Sequence, residues 1–231
     1  MSRVRMEFSK GDEVRFLSHL DLVKAFERAI RRAELPIAFS EGFNPHPKMN
    51  FASALAVGVT SDNEYIDIEL VRDVDAGEVA DVLKKALPPG IEIKRGRLVP
   101  DNNPHLMAEV NRAEYRISAA QDGSVDSVRL ADAIREFMNS PEIVIMKRTK
   151  KGTQPRNIRP GIIAFQGTGE GNRVNFEIEA ITGSEGNVRP EEVVSAFAER
   201  SILPFDSDAL SIRRTGLYIE KDGERIEPMD A

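Results

Sequence analysis

Residues 78–98, EVADVLKKALPPGIEIKRGRL, decide the fold because a helix, a stop signal and a strand follow one another in this short stretch. Apolar residues recur at helical spacing over Glu78–Leu87, which predicts an amphipathic helix. Pro88-Pro89-Gly90 ends that helix, and Ile91–Leu98 alternates as a strand. The inward-facing helix residues are Val79, Val82, Leu83 and Ala86.

The segments before this stretch complete one folding unit. Their patterns predict a strand, an amphipathic helix, two short extended segments around a loop, and a clear alternating strand. The order is therefore β-α-β-β-α-β, with one possible extra strand, which is typical of ferredoxin-like domains. The segments are Val4–Phe8, Leu22–Leu35, Ile37–Ser40, Met49–Ala54 and Tyr65–Val71.

The second half of the chain repeats this order, which indicates a tandem duplication. We therefore predict the α+β class, with tandem ferredoxin-like domains and antiparallel sheets. The domains are expected at residues 1–100 and 113–231, joined by a proline-rich connector at 101–112. The predicted elements of the second half are Ala113–Ala119, Val128–Met138, Glu142–Met146, Val174–Ile181, Pro190–Ala198 and Ala209–Ile219.

Composition excludes several classes of protein. The 231 residues contain no cysteine, so disulfides, thiolate nucleophiles and an iron–sulfur cluster ligated by this chain are ruled out. The formal net charge of −6 argues against a protein that coats nucleic acid indiscriminately. No apolar run approaches the roughly 20 residues that span a bilayer, and no signal-peptide pattern begins the chain. We expect a cytoplasmic protein with no membrane partner.

The motif Arg15-Phe16-Leu17-Ser18-His19-Leu20-Asp21 opens the first helix. The spacing of Ser18 and Asp21 predicts a capping box, in which a serine oxygen accepts a backbone N–H three residues on. An alternative is that Asp21 acts as an acid or base beside His19. We favour capping, because the spacing alone explains both residue types.

A second motif, Glu41–Lys48, combines glycine and two prolines with aromatic, amide, imidazole and ammonium groups. Such a loop has a restricted backbone and presents its side chains. Loops that follow parallel strands leave a sheet at one end, so we expect His19, Asn44, His46 and Lys48 to converge. His19 and His46 with Lys48 are candidates for acid–base cleavage of RNA, and the two histidines with Asp21 for a metal site. The simpler interpretation is that these histidines are structural, and we assign no metal site.

Two groups of cations are candidates for phosphate contact. Lys24, Arg28 and Arg31 share one face of the first helix, where a solvated surface is the simpler interpretation. The densest basic run lies in the predicted loop 147–160, and guanidinium groups suit phosphate. Contact with RNA is favoured there over a solvated hairpin tip. That run contains Lys147, Arg148, Lys150, Lys151, Arg156 and Arg159.

Four segments together resemble the bacterial radical-SAM-linked protein family, a domain of unknown function fused to or encoded beside cobalamin-binding-type radical-SAM proteins. The resemblance implies a radical-SAM partner that carries the iron–sulfur cluster and S-adenosylmethionine, while this chain binds no cofactor itself. It also implies a link to RNA or ribosome metabolism. The segments are Arg15–Asp21, Glu41–Lys48, Asn157–Pro160 and Arg213–Thr215.

These observations predict an accessory protein that binds RNA or presents substrate to a radical-SAM enzyme. The alternatives are a metal-independent RNA-processing enzyme that uses His19 and His46, and a scaffold that docks an acidic protein. The predicted contact residues for RNA or a partner are Arg15, Lys24, Arg28, Arg31, Phe43, Asn44, His46, Lys48, Lys147, Arg148, Lys150, Lys151, Arg156, Arg159, Arg213 and Arg214.

Overall fold

The computed structural model describes residues 2–100, 102–120, 126–149, 152–183, 186–201, 205–206 and 209–231. The chain clusters into two compact units, residues 1–111 with 214–231, and residues 112–213. These units differ from the sequence-based domains, because residues 214–231 belong to the first unit. The domain boundaries and the connector at 101–112 stay a prediction.

The described elements mix helices and strands in both units, so the predicted α+β class is confirmed. The first unit contains β1 (Ser2–Lys10), α1 (His19–Arg32), β2 (Met49–Phe51), β3 (Val59–Leu70), α2 (Ala76–Ala86), β4 (Ile91–Val99) and α3 (Leu106–Glu109). The second contains β5 (Arg112–Ala120), α4 (Ser127–Asn139), β6 (Val144–Thr149), β7 (Gly152–Asn157), β8 (Ile162–Glu170), β9 (Arg173–Ile181) and α5 (Pro190–Arg200). The chain then continues through β10 (Ser211–Lys221), which enters the first unit at Arg214, and β11 (Glu224–Ile226).

The sheet of the first unit has the strand order β4-β1-β3-β10, with β2 also paired to β3 and β11 to β10. Strand β1 is antiparallel to both β3 and β4. Val4, Met6 and Phe8 of β1 lie in the buried core with residues of α1 and α2, and Phe8 packs against Phe26 of α1 with ring centroids 5.0 Å apart. Phe51 of β2 completes an edge-to-face cluster with both rings, which buries α1 on the sheet.

Three odd-numbered residues of β1, Arg3, Arg5 and Glu7, are charged but also buried. Arg5 and Asp67 are fully buried and form an ion pair, with Arg5 Nε 2.8 Å from Asp67 Oδ1. The Arg5 guanidinium also donates to the carbonyl of Pro228 at 2.6 Å. Residues beyond β11 therefore contribute to the burial of a sheet face whose alternating pattern alone predicts exposure to solvent.

The second unit has an antiparallel sheet of order β5-β9-β8. Its helices bury a ring cluster, in which Phe137 of α4 and Phe197 of α5 lie 5.4 Å apart between centroids. Strands β6 and β7 pair only with each other among the described residues and form a separate antiparallel hairpin.

Local patterns mispredicted some strands. Ile37–Ser40 contains only isolated bridges, from Ile37 to Leu70 and from Phe39 to Pro47. The strand predicted at Glu142–Met146 begins at Val144 and lies in the hairpin. Strands β7 and β8 were not predicted, because proline and glycine interrupt their alternation. The tandem ferredoxin-like assignment stays a prediction.

Candidate functional site

The N-terminus of α1 confirms the capping interpretation. The Ser18 hydroxyl oxygen accepts the backbone N–H of Asp21 at 3.2 Å, and the same hydroxyl donates to Asp21 Oδ2 at 2.6 Å. This second hydrogen bond lowers the pKa of the Asp21 carboxyl. The carboxylate therefore has a structural role at the first turn of the helix.

His19 lies against the first unit's aromatic cluster. Its ring meets Phe51 edge to face at a centroid distance of 5.2 Å, and its Nδ1 is buried without a hydrogen-bond partner. Burial lowers the pKa of the imidazole; Glu64 opposes this effect and Arg214 adds to it. A neutral imidazole is therefore favoured at neutral pH.

Glu64 and Arg214 form a buried ion pair beside this histidine. Arg214 Nε donates to Glu64 Oε1 at 2.7 Å, and Nη2 donates to Oε2 at 2.5 Å. The third nitrogen of the guanidinium, Nη1, donates to Ser53 Oγ at 3.3 Å. Arg214, predicted as a contact residue for RNA or a partner, is only 2% exposed. Its neighbour Arg213 is exposed.

Sequence reasoning missed Lys10, the last residue of β1. Its side chain is buried, and Nζ donates to the carbonyl oxygens of Arg15, Leu17 and Val59 at 2.9, 3.0 and 3.3 Å. The pKa of this ammonium is lowered, mainly because the group is buried. Only a structure reveals such a contact, because a lysine at a strand end is normally solvated. Lys10 fixes the backbone on both sides of Phe16.

The Glu41–Lys48 loop is braced at its base. Ser40 N donates to the His46 carbonyl at 2.8 Å, and His46 N donates to Ser40 Oγ at 3.0 Å. Gly42 has a φ of 126°, a conformation that favours glycine. Phe43 is fully exposed at the tip, and the side chains of Asn44 and His46 are also exposed.

The structure does not bring Lys48 to His19. Lys48 Nζ pairs with Glu69 Oε2 at 3.2 Å, whereas His19 lies next to Phe51 and is affected by Glu64. Phe51 lies opposite Ile66 in the β2–β3 register, so the ring that His19 contacts and the Glu69 carboxylate that holds Lys48 are on opposite faces of the sheet. The expected convergence is wrong for this pair, because the loop precedes β2 instead of following a strand.

The cations of the first helix are accessible to solvent. Lys24, Arg28 and Arg31 are exposed along α1. Arg15 is half-buried, and its guanidinium lies over the ring of Phe16, 4.5 Å from the centroid. Whether this helix face is only solvated or also contacts phosphate stays a prediction, while Arg15 is stacked on an aromatic ring.

The predicted basic loop covers most of the β6–β7 hairpin and the short turn after it, where Arg159 lies, and its cations differ in their partners. Lys147 Nζ pairs with Glu192 Oε1 of α5 at 3.1 Å. The Arg159 guanidinium donates to the carbonyls of Met138 and Ile162 at 2.9 and 3.0 Å. Arg148 is exposed and Arg156 half-buried, and neither has an acidic partner among the described residues. Lys150 and Lys151 lie outside the described residues.

Across the described part of the chain, no group of three or more histidine, aspartate or glutamate side chains is placed to hold a metal ion. In the same part, no helix is both long and apolar enough to cross a membrane.

These features define a two-unit α+β protein with a braced aromatic loop and a basic hairpin. The chain belongs to the family described as "uncharacterized protein conserved in bacteria" (DUF2344), whose model matches residues 3–190. No curated protein matches the chain significantly.

Solved structures give a fold likeness at low identity. A chain of the Cbf5-Nop10-Gar1 complex is 12% identical with a TM-score of 0.51, over 94% of this chain and 48% of that one. A chain of the archaeal box H/ACA sRNP Nop10-Cbf5 complex is 11% identical with a TM-score of 0.45, over 92% and 46%. An unknown protein from Galdieria sulphuraria is 12% identical with a TM-score of 0.28, over 97% and 98%. The chain thus spans about half the length of the first two, and the first likeness shows a shared fold alone.

Proposed function

We propose that this protein is a cytoplasmic accessory that binds RNA through the β6–β7 hairpin. The observation that carries the proposal is a difference among the cations of the basic run. Two of them are bound to other parts of the protein, and two have no acidic partner among the described residues. Lys147 holds the hairpin to α5, and Arg159 fixes the turn that follows β7 through backbone carbonyls, while Arg148 and Arg156 have no carboxylate partner among the described residues. An anchored ribbon that carries uncommitted guanidinium groups suits contact with phosphate.

The strand register distributes these two groups over both faces of the hairpin. Arg156 lies opposite Ile145, and Arg148 lies opposite Thr153. Directly opposed residues share a face and alternate residues change face, so the two guanidinium groups are on opposite faces. The face with Arg148 also exposes Met146, whose thioether adds apolar contact area. Because the net charge of the chain is −6, we expect attraction of a polyanion only at the surface around these arginines.

An accessory role is favoured over RNA cleavage. The cleavage hypothesis needs His19, His46 and Lys48 at one phosphate. Lys48 is instead held by Glu69, and His19 packs on Phe51, which lies on the opposite face of the sheet from Glu69. We therefore propose binding without chemistry by this chain.

The salt dependence of RNA binding tests the hairpin. Each phosphate contact to a single strand contributes about 0.7 to the slope of log K against log salt. The double variant Arg148→Gln/Arg156→Gln should flatten that slope by about 1.4 and weaken binding at low salt. Arg135→Gln is the matched control, since Arg135 is exposed in the same unit but paired with Asp132 at 2.8 Å. An unchanged slope in the double variant, or an equal change in the control, would sink the proposal.

We further propose that the Glu41–Lys48 loop docks the radical-SAM partner that the family resemblance implies. The supporting observation is a fully exposed Phe43 at the tip of a loop with a hydrogen-bonded base. A preorganised loop loses little entropy on binding, and aromatic side chains often dominate interfaces. The iron–sulfur cluster and S-adenosylmethionine would belong to that partner, because this chain has no cysteine to ligate a cluster.

Co-purification of the two proteins after nuclease treatment tests this docking. Phe43→Ala should lose the partner, whereas Leu98→Ala, which removes an exposed apolar side chain elsewhere in the same unit, should keep it. If Phe43→Ala still retains the partner, the loop is not the docking site. If wild type loses the partner after nuclease treatment, RNA bridges the two proteins.

We also propose that both halves are ferredoxin-like. In the first unit, β1-α1-β2-β3-α2-β4 follow in chain order, and the strands lie in the order β4-β1-β3 with β2 against β3. This arrangement supports the split β-α-β pattern for that unit. In the second unit, the antiparallel order β5-β9-β8 with two helices is consistent with a repeat that carries the hairpin as an insertion.

A further inference from the structure

Packing explains most of the Arg15–Asp21 motif but not Phe16. Ser18 and Asp21 cap the helix, and His19 packs on the aromatic cluster. Phe16, in the turn before α1, is 67% exposed, and Leu20, in the first turn of α1, is 70% exposed. Two large apolar side chains are thus exposed in a motif whose Ser18, His19 and Asp21 are structural, and they offer a contact surface.

The backbone that carries Phe16 is held rigidly. The Lys10 ammonium binds the carbonyls immediately before and after this residue, those of Arg15 and Leu17. The Arg15 carbonyl also accepts the backbone N–H of Gly58 at 2.9 Å, and Leu17 N donates to the Val14 carbonyl at 3.0 Å. The ring is therefore presented in a preorganised position, which reduces the entropy lost on binding.

One face of the ring is already occupied. The Arg15 guanidinium lies over Phe16 at 4.5 Å from the ring centroid, within the range of a cation–π contact. The stack joins an aromatic plane and a guanidinium plane, the two kinds of surface on which unpaired RNA bases stack. From this geometry we propose that Phe16 and Arg15 form a stacking platform for an unpaired nucleobase. The proposal rests on the function proposed above, in that RNA is the ligand.

The surrounding charges favour a base over a phosphate. Asp12 and Glu13 lie in the turn before Arg15, and Asp21 lies in the first turn of α1. Three carboxylates therefore lie near Arg15 in the sequence against its single guanidinium, and we expect the platform to add little attraction for the RNA backbone. A neutral base needs only a π surface. Changes at Phe16 should therefore alter the affinity for RNA while leaving its salt slope unchanged.

Two RNA probes test the platform in the full-length protein. One is a mixed-sequence single strand that carries a single 2-aminopurine, and the other is the same strand annealed to its complement. Phe16→Ala should bind the single strand about tenfold more weakly and the duplex unchanged, because stacking depends on unpaired bases. Binding should quench the 2-aminopurine fluorescence in wild type and less in the variant. Circular dichroism checks that each variant is folded.

Two substitutions at the same position separate stacking from general apolar contact. Phe16→Tyr keeps the ring and should retain affinity, while Phe16→Leu keeps an apolar side chain and should weaken binding like alanine. Leu98→Ala serves as the exposed apolar control. Full affinity in Phe16→Leu would overturn the platform in favour of a general apolar contact.

The same data distinguish failure of the proposed RNA binding from failure of the Phe16 platform alone. If wild type binds neither probe, the proposed function and the platform both fail. If binding depends on the hairpin arginines but Phe16→Ala behaves like Leu98→Ala, RNA binding stands and the platform is wrong.

Discussion

Arg214 and Glu64 form a buried bidentate ion pair that joins positions 150 residues apart in the sequence. Arg214 is the residue at which β10 enters the first unit, and Glu64 lies within β3. The first unit is therefore completed only when the last part of the chain returns to it. Ser61 reinforces the junction, because its hydroxyl donates to the Arg214 carbonyl at 3.2 Å.

Removal of one partner from this pair should be costly. Glu64→Gln leaves a buried guanidinium without its counter-charge, and we expect a loss of about 3–5 kcal/mol in the free energy of unfolding. Urea unfolding at neutral pH measures it. Glu177→Gln breaks the exposed Arg116–Glu177 pair and should cost less than about 1 kcal/mol. Equal losses in the two variants would contradict the structural importance of the buried pair.

Local sequence patterns predicted the features that depend on neighbouring residues. Helical spacing and the Ser18–Asp21 distance correctly predicted α1 and its cap, and the 78–98 stretch correctly predicted α2 and β4. They failed where burial comes from distant segments. Arg5 alternates with apolar residues, which favours a solvent-exposed side chain, yet Asp67 and the Pro228 carbonyl bury it. No periodicity contains that information.

The same limit applied to the candidate site. The basic run was visible in the sequence, but the commitment of Lys147 to Glu192 depends on a helix 45 residues later. The role of Lys10 was missed because its three acceptors are backbone carbonyls, which leave no trace in residue types. The placement of Lys48 was mispredicted because the loop's position relative to β2 was inferred from a strand that does not form.

His19 should make stability depend on pH. Burial holds the pKa of its imidazole below the ordinary value of 6.5, so below about pH 6.5 the unfolded state takes up a proton that the folded state resists. The unfolded state then binds more protons, and stability falls as the pH decreases. Urea unfolding between pH 7.5 and 5.5 measures the effect.

The variants His19→Gln and His105→Gln separate the effect of His19 from the titration of other groups in the protein. His19→Gln should lose the part of the pH dependence that begins near pH 6.5, whatever its absolute stability. His105→Gln removes an exposed histidine and should retain the wild-type profile. A His19→Gln profile parallel to wild type would mean that this imidazole titrates normally in the folded state.

Lys10 should stabilise the segment that presents Phe16. Lys10→Met fills similar space but leaves the Arg15, Leu17 and Val59 carbonyls without their charged donor, and we expect a loss of about 3 kcal/mol in the free energy of unfolding. Amide exchange at Leu17 and Gly58 should accelerate. Lys24→Met, on the exposed face of α1, should change stability by less than about 0.5 kcal/mol. Unaltered exchange at these amides in Lys10→Met would show that the segment is held by other contacts.

Glu192 should limit the positive charge that the hairpin offers to RNA. Its Oε1 pairs with Lys147, and its Oε2 accepts the Arg189 N–H at 3.3 Å at the start of α5. Glu192→Gln keeps an acceptor for that N–H but removes the charge, so Lys147 becomes available to phosphate. We expect tighter RNA binding at low salt and a slope of log K against log salt that is steeper by about 0.7.

The control for this last change is Glu191→Gln, which removes a neighbouring carboxylate whose distance to Arg189 is 3.8 Å and which does not pair with the hairpin. Both variants lower the negative charge of the protein by one, so a general charge effect would tighten binding equally in the two. A steeper slope confined to Glu192→Gln would identify Lys147 as a released phosphate contact. An identical response would mean that the hairpin does not bind the RNA through this lysine, and that its ion pair serves only to hold β6 against α5.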